Sequence, residues 1–259
     1  MFEDSIRLGI EKRVKEAVEK FSAKDDISTK FGEPVVGYID PTNMMFDMFF
    51  TRGLSDHPKN IYRPGNTIVL YYVPYPADVA ESNFGGSEPS EKWSRAYIES
   101  MWLVMEVNAV IRDYLDSLGI LSSLLNTPLD WDEEAHHESW SHKLAAFAAG
   151  MGKLGPAGSF YAEDGSCGRV SAVISTRKYA AKPELITDGQ LEEAHQNILT
   201  KCCYKGAKNV SCSDEMIVAC PVKAISADGI DMAKCQEHCK TIDENIPSPD
   251  VCGKCFSFK

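Results

Sequence analysis

Cys220 is followed by Pro221-Val222-Lys223-Ala224-Ile225, and beyond it lie Cys235, Cys239 and the run Cys252-Gly253-Lys254-Cys255. A cysteine set before proline and a small apolar turn is one form in which a chain presents the thiolate that closes an iron–sulfur cluster. Eight of the nine cysteines fall after residue 201, so one metal centre has many thiols to draw on. An odd total fits poorly with a complete disulfide framework, and clustered thiols in a reducing compartment are more often metal ligands.

A cubane cluster has four corners and needs four thiolates arriving from separate turns. Cys252 and Cys255 point into one loop. Cys220 is expected at the end of a helix over Asp214 to Ala219, with Pro221 turning the chain away. Cys235 follows a short helix over Asp231 to Lys234 and supplies the fourth sulfur. The expected ligands of a [4Fe–4S] cluster are therefore Cys220, Cys235, Cys252 and Cys255. Cys239, one helical turn beyond Cys235, is able to replace it.

Rival readings exist. Cys235, Cys239, Cys252 and Cys255 also have the spacing of a four-cysteine zinc site, and thiols can be inert or paired as disulfides. The Cys-Pro context favours the cluster, because a zinc site has no use for it. A second cluster upstream would need Cys-x2-Cys-x2-Cys-x3-Cys-Pro. Glu215 and Met216 stand where its thiols are wanted, so one cluster is expected, and Cys167, Cys202 and Cys203 read as plain thiols.

Gly150-Met-Gly152-Lys-Leu-Gly155 matches G-x-G-x-x-G formally, but a dinucleotide loop needs a strand before it and a helix after it. Here an alanine-rich helix precedes and Gly158-Ser-Phe-Tyr follows. Two readings stay open: a backbone turn lying flat against a planar or phosphate-bearing cofactor, or a plain helix-ending turn. His136, His137 and His142 around Trp140, after the acidic run Asp130 to Glu134, read as a metal or acid–base cluster or as a solvated loop.

The elements that must position these residues follow from periodicity. Ile6, Ile10, Val14, Val18 and Phe21 mark an amphipathic helix over 4–22. Residues 34–40 read as a strand ending in an Asp-Pro turn, and 67–73 as a strand covered on both faces. Ser90 caps a long helix running to about Leu118, with Gly119 as its stop. The middle of that helix, 101–111, is apolar nearly all round and is expected to be buried. A helix over 139–149 and a strand over 168–176 follow. Strands separated by helices point to an α/β sandwich for residues 1–195. Residues 196–259 are loop-rich and cysteine-punctuated, a small domain whose core metal must help supply.

At 259 residues and 44% hydrophobic the chain can bury a substantial core. It has no run of ~20 apolar residues and no basic-then-apolar leader, so a cytoplasmic protein without membrane contact is expected. Its net charge is -11, and the excess lies in the first 195 residues, with 30 acids against 19 bases. Such a body gains little from counterion release, and no nucleic-acid partner is expected.

The segments Ser141-His-Lys-Leu-Ala-Ala-Phe-Ala-Ala-Gly-Met-Gly-Lys-Leu-Gly155 and Gly165-Ser-Cys-Gly-Arg-Val-Ser-Ala-Val-Ile-Ser175 resemble the epoxyqueuosine reductase and reductive dehalogenase superfamily. The Cys220-Pro221, Cys235, Cys252-x2-Cys255 arrangement resembles its cluster nearer the active site. The likeness runs from about residue 60 onward. It implies a nitroreductase-like α/β sandwich with a small C-terminal ferredoxin-like iron–sulfur domain, and a cobalamin cradled by the turn through Gly150, Gly152, Gly155 and Gly158. The sequence departs from the pattern at Lys153, where the family has an aromatic, and in its degenerate distal-cluster motif. The family's catalytic acid matches Asn126, before Thr127-Pro128, with Asp130 as the nearest substitute.

The resulting expectation is a divergent, single-cluster iron–sulfur reductase, from an anaerobe, passing single electrons from the cluster to cobalamin or a substrate in the N-terminal domain. Its electron donor would be a protein of ferredoxin or flavodoxin type. Two alternatives are an electron-transfer or corrinoid-reactivating partner without its own substrate, and a zinc-stapled binding module.

Overall fold

The computed structural model describes residues 2–125, 131–132, 137–154, 160–162, 167–181, 186–199, 214–226, 229–242, 245 and 252–256. The chain opens with α1 (Phe2–Ser22), β1 (Val35–Ile39), α2 (Met44–Thr51), α3 (Pro58–Ile61), β2 (Thr67–Pro74), α4 (Ala77–Ser82) and α5 (Glu91–Ser117). Then come β3 (Ser122–Leu124), β4 (Trp131–Asp132), β5 (His137–Glu138), α6 (His142–Ala148), β6 (Gly152–Leu154), β7 (Phe160–Ala162), β8 (Gly168–Ser175) and α7 (Asp188–Leu199). The C-terminal part holds α8 (Asp214–Ala219), β9 (Ile225–Ser226), β10 (Gly229–Ile230), α9 (Met232–Lys240) and a single 3-10 turn, Lys254–Phe256.

This is a mixed α/β fold. Its main sheet has the order β1-β2-β8-β3, and every pairing is antiparallel. The continuous apolar run of β2 is explained by its central place, where both faces need apolar side chains. Val69, Tyr71 and Val73 face a core built with Ile6, Ile10 and Val14 of α1 and Leu103, Val107 and Ile111 of α5. Ile68, Leu70 and Tyr72 face a second core with Phe46 and Phe49 of α2 and Leu144, Ala145 and Ala146 of α6. The period-two alternation of one strand thus divides the interior into two cores. Ile198 of α7 belongs to the second.

Two polar contacts fix α5 to the rest. Tyr71 donates its hydroxyl to the Val104 carbonyl at 3.1 Å. Glu99, buried in the helix, accepts the Ser28 amide at 2.9 Å and the Thr29 amide at 2.8 Å, tying down the chain that leaves α1. Burial opposes ionisation of Glu99, but the hydrogen bonds from Thr29 and Ser28 outweigh it and hold the carboxyl below its ordinary value.

The expectation for the middle of α5 is corrected. Met101, Trp102 and Met105 are exposed, Met105 by 70%, although their neighbours are apolar. A helix with one face against a sheet and α1 can bury only that face, whatever the composition of the other.

The two faces of α5 give a direct test. Ile111→Ala should cost about 2–5 kcal/mol through lost burial and a cavity, while Met105→Ala should stay within about 0.5 kcal/mol, both by denaturant unfolding. Glu99→Leu should cost about 2 kcal/mol or more at pH 7, because two amides lose their acceptor. A depressed carboxyl stabilises above its unfolded pKa and loses that contribution as pH falls through the folded value. The gap between wild type and Glu99→Leu should therefore narrow below about pH 4.5 in pH-dependent unfolding.

Candidate metal centre

Cys220 leaves the end of α8 as the sequence predicts. The chain then folds back on itself: the Lys223 amide donates to the Cys220 carbonyl at 3.1 Å. Lys223 takes a left-handed φ of 53°, a conformation costly for a residue with a Cβ. That twist carries the Ala224 amide to 3.2 Å from Cys220 Sγ, to which it donates. Ala224 and Ile225 are buried and seat the turn.

The helix before Cys235 is longer than expected. Asp231 is its N-cap, its carboxylate accepting the Lys234 amide at 2.9 Å, and α9 continues to Lys240. No glycine or proline interrupts Met232 to Lys240, so nothing stops the helix at residue 234. Cys235 lies inside α9, and Cys239 sits one turn on along the same face. The two thiols are hydrogen-bonded. That bond, burial, and the thiols of Cys239, Cys255 and Cys252 all push the Cys235 thiol upward.

The Cys252-to-Cys255 loop is docked on the larger body. Gly253 has φ +65° and lies flat on the Trp93 indole near the start of α5. A Cβ there would collide with the indole ring. Asn83, just past α4, donates its side-chain amide to the Cys252 carbonyl at 3.2 Å and accepts the Ser90 amide at 2.9 Å. Lys254 is only 4% exposed. Its ammonium donates to the carbonyls of Asn83 at 3.0 Å and Gly85 at 2.6 Å. Burial raises the Cys252 thiol to about 11, opposed by the Lys254 amide and by the Lys254 charge, with Cys239 and Cys220 adding to the rise.

Cys239, Cys252 and Cys255 are near enough to act on Cys235, and Cys239 and Cys220 to act on Cys252. A tetrahedral zinc with bonds of about 2.3 Å would draw its sulfurs to within about 3.8 Å of each other. Among the described residues, no three His, Cys, Asp or Glu side chains converge tightly enough to hold a single ion. Cys220, Cys235, Cys239, Cys252 and Cys255 are all half-buried thiols.

The other expected positions are partly within view. Asn126, Asp130, Gly155 and Gly158 lie outside the described residues, as do Cys202, Cys203 and Cys212. Gly150, φ +70°, ends α6: its amide donates to the Phe147 carbonyl and that of Met151 to the Ala146 carbonyl, both at 3.0 Å. Gly152 begins β6, where a Cβ would strike the Tyr161 carbonyl and the Phe160 ring. Both glycines thus have local structural causes. Enclosure, with a smaller contribution from Arg169, pushes His142 down to about 3, and its ring meets buried Trp140 edge-on at 6.3 Å. At neutral pH that imidazole is an uncharged packing group.

Asn83, Trp93, Gly253 and Lys254 were not singled out by sequence reasoning. The available signal was the pair between Cys252 and Cys255, a glycine and a lysine. Nothing local says that this pair meets the α4–α5 corner some 160 positions earlier.

No family model matches the chain, and no curated protein matches it. Solved structures to which it is similar are epoxyqueuosine reductases. A selenomethionine-labelled one has 13% identity and a TM-score of 0.49, over 96% of this chain and 65% of that one. The Streptococcus thermophilus structure has 14% identity and a TM-score of 0.48, over 95% and 65%. The Bacillus subtilis structure has 15% identity and a TM-score of 0.47, over 96% and 65%. The chain spans 65% of the length of these neighbours.

Gly253→Ala should lift the loop from Trp93. The expected result is a red-shifted tryptophan emission with unchanged far-ultraviolet circular dichroism, since the sheet and its two cores are untouched.

Proposed function

We propose that the C-terminal thiols hold one [4Fe–4S] cluster and that the protein is an iron–sulfur oxidoreductase. What supports this reading is that α8, which leads into the Cys-Pro turn, packs on the Lys254–Phe256 turn, and that the cysteines of the Cys-Pro turn, of α9 and of the docked loop are half-buried thiols. When bound, such a cluster supplies one-electron transfer. The chain's own residues do the positioning. The Ala224 amide orients the Cys220 sulfur, α9 offers Cys235 and Cys239 on one face, and Trp93 and Lys254 keep the Cys252–Cys255 loop on the α/β body. That docking makes the α4–α5 corner the short route from the thiols into the rest of the protein. The electrons come, in this reading, from a donor protein of ferredoxin or flavodoxin type, and pass to a substrate bound by the larger domain.

Cobalamin rests on the family resemblance alone, since Gly150 and Gly152 are explained by the end of α6 and the β6–β7 pairing. No step is derived through it. Among the described residues no helix is long and apolar enough to cross a membrane.

Anaerobic purification with absorbance and metal counts tests the proposal. A brown protein with about four irons and no zinc is expected, and Cys220→Ala or Cys252→Ala should abolish the colour. Comparing Cys235→Ala with Cys239→Ala identifies the α9 ligand: the variant that keeps iron has lost the spare thiol. A colourless protein with one zinc would overturn the reading.

A further inference from the structure

Lysine 254 is the least accessible lysine described, and it lies between two of the cysteines. A charge withdrawn from water is tolerated only where dipoles or counter-charges answer it. Here the Asn83 and Gly85 carbonyls just past α4, both on the larger body, accept from the ammonium. Burial pulls the Lys254 amine below its ordinary value, and the Cys252 and Glu88 charges oppose that pull. The same corner supplies the Asn83 side chain to the Cys252 carbonyl and the Trp93 indole to Gly253. Each residue from Cys252 to Lys254 therefore has a partner on that corner, and none of these contacts involves a metal.

We propose that Lys254 is a positioning residue: its buried ammonium clasps the Cys252–Cys255 loop to the α4–α5 corner before any cluster is present, and leaves a fixed positive charge beside the thiolates afterwards. Two ligands are thus held in place in the apoprotein, and assembly requires the Cys-Pro turn and α9 to meet a half-site already docked. The same cation favours the more negative, reduced state of the bound centre, because local charge is one of the terms that set a cluster's potential. The inference rests on the cluster reading for its second part only.

Two measurements on full-length protein test it. In chelator-treated apoprotein, amide hydrogen exchange should show residues 252–256 protected. Lys254→Met, similar in length but uncharged, should lose at least tenfold of that protection while β2, β8 and α5 keep theirs. Unchanged protection in Lys254→Met would overturn the proposal. So would a loss spread over the whole chain, which would make Lys254 a residue of global stability. In reconstituted protein of equal iron content, Lys254→Met should have a more negative midpoint potential in a redox titration, and Lys254→Arg should move it back toward wild type. An unshifted potential, or equal shifts in both variants, would remove the role of the charge. Iron content itself reports on the cluster reading, so the two ideas fail separately.

Discussion

A lysine ammonium with almost no access to water demands an answer to its charge, and the structure gives it two backbone carbonyls from one corner of the larger body. Lys254, Asn83 and Gly85 make that contact, and the cysteine-bearing loop is held by its consequence. The aliphatic stem and the ammonium together draw in residues 252–255, so that Gly253 must lie against Trp93. Glycine is required there twice, for its left-handed backbone and for the missing Cβ. Without this docking, the C-terminal elements would have little to fix them on the body, since α9 buries none of its own residues.

The described C-terminal residues bury little apolar surface. Ala224, Ile225 and Ile242 are the buried apolar residues among them, far fewer than the two cores either side of β2. Hydrogen bonds from the Cys252–Lys254 loop to the α4–α5 corner add order that these few apolar residues do not supply.

The larger body shows the opposite economy. A buried central strand, with every side chain through Val73 inaccessible, sets two layers of helices at fixed distances from one sheet. Into that frame α5 brings Trp93 at its N-terminus, Glu99 against the chain leaving α1, and Asn108 beside Tyr71. One helix therefore links the first core, the α1 exit and the corner that receives the thiols. Its outward face, with Met101, Trp102 and Met105, is left apolar and exposed.

Local patterns decided much of this on their own. Ser90 as the cap of α5, the Asp214–Ala219 helix and the both-sided burial of β2 all follow from periodicity and capping, which act over a few residues. What the chain could not announce were relations between distant segments. The antiparallel order β1-β2-β8-β3 is one. The face of α5 left outside is another, because composition cannot say how many neighbours a helix will have. The partners of Gly253 and Lys254 are the third, and there the reason is most direct. A lysine between two cysteines is, in sequence, one more solvent-seeking cation, and only folding brings it the two carbonyls that allow it to be buried.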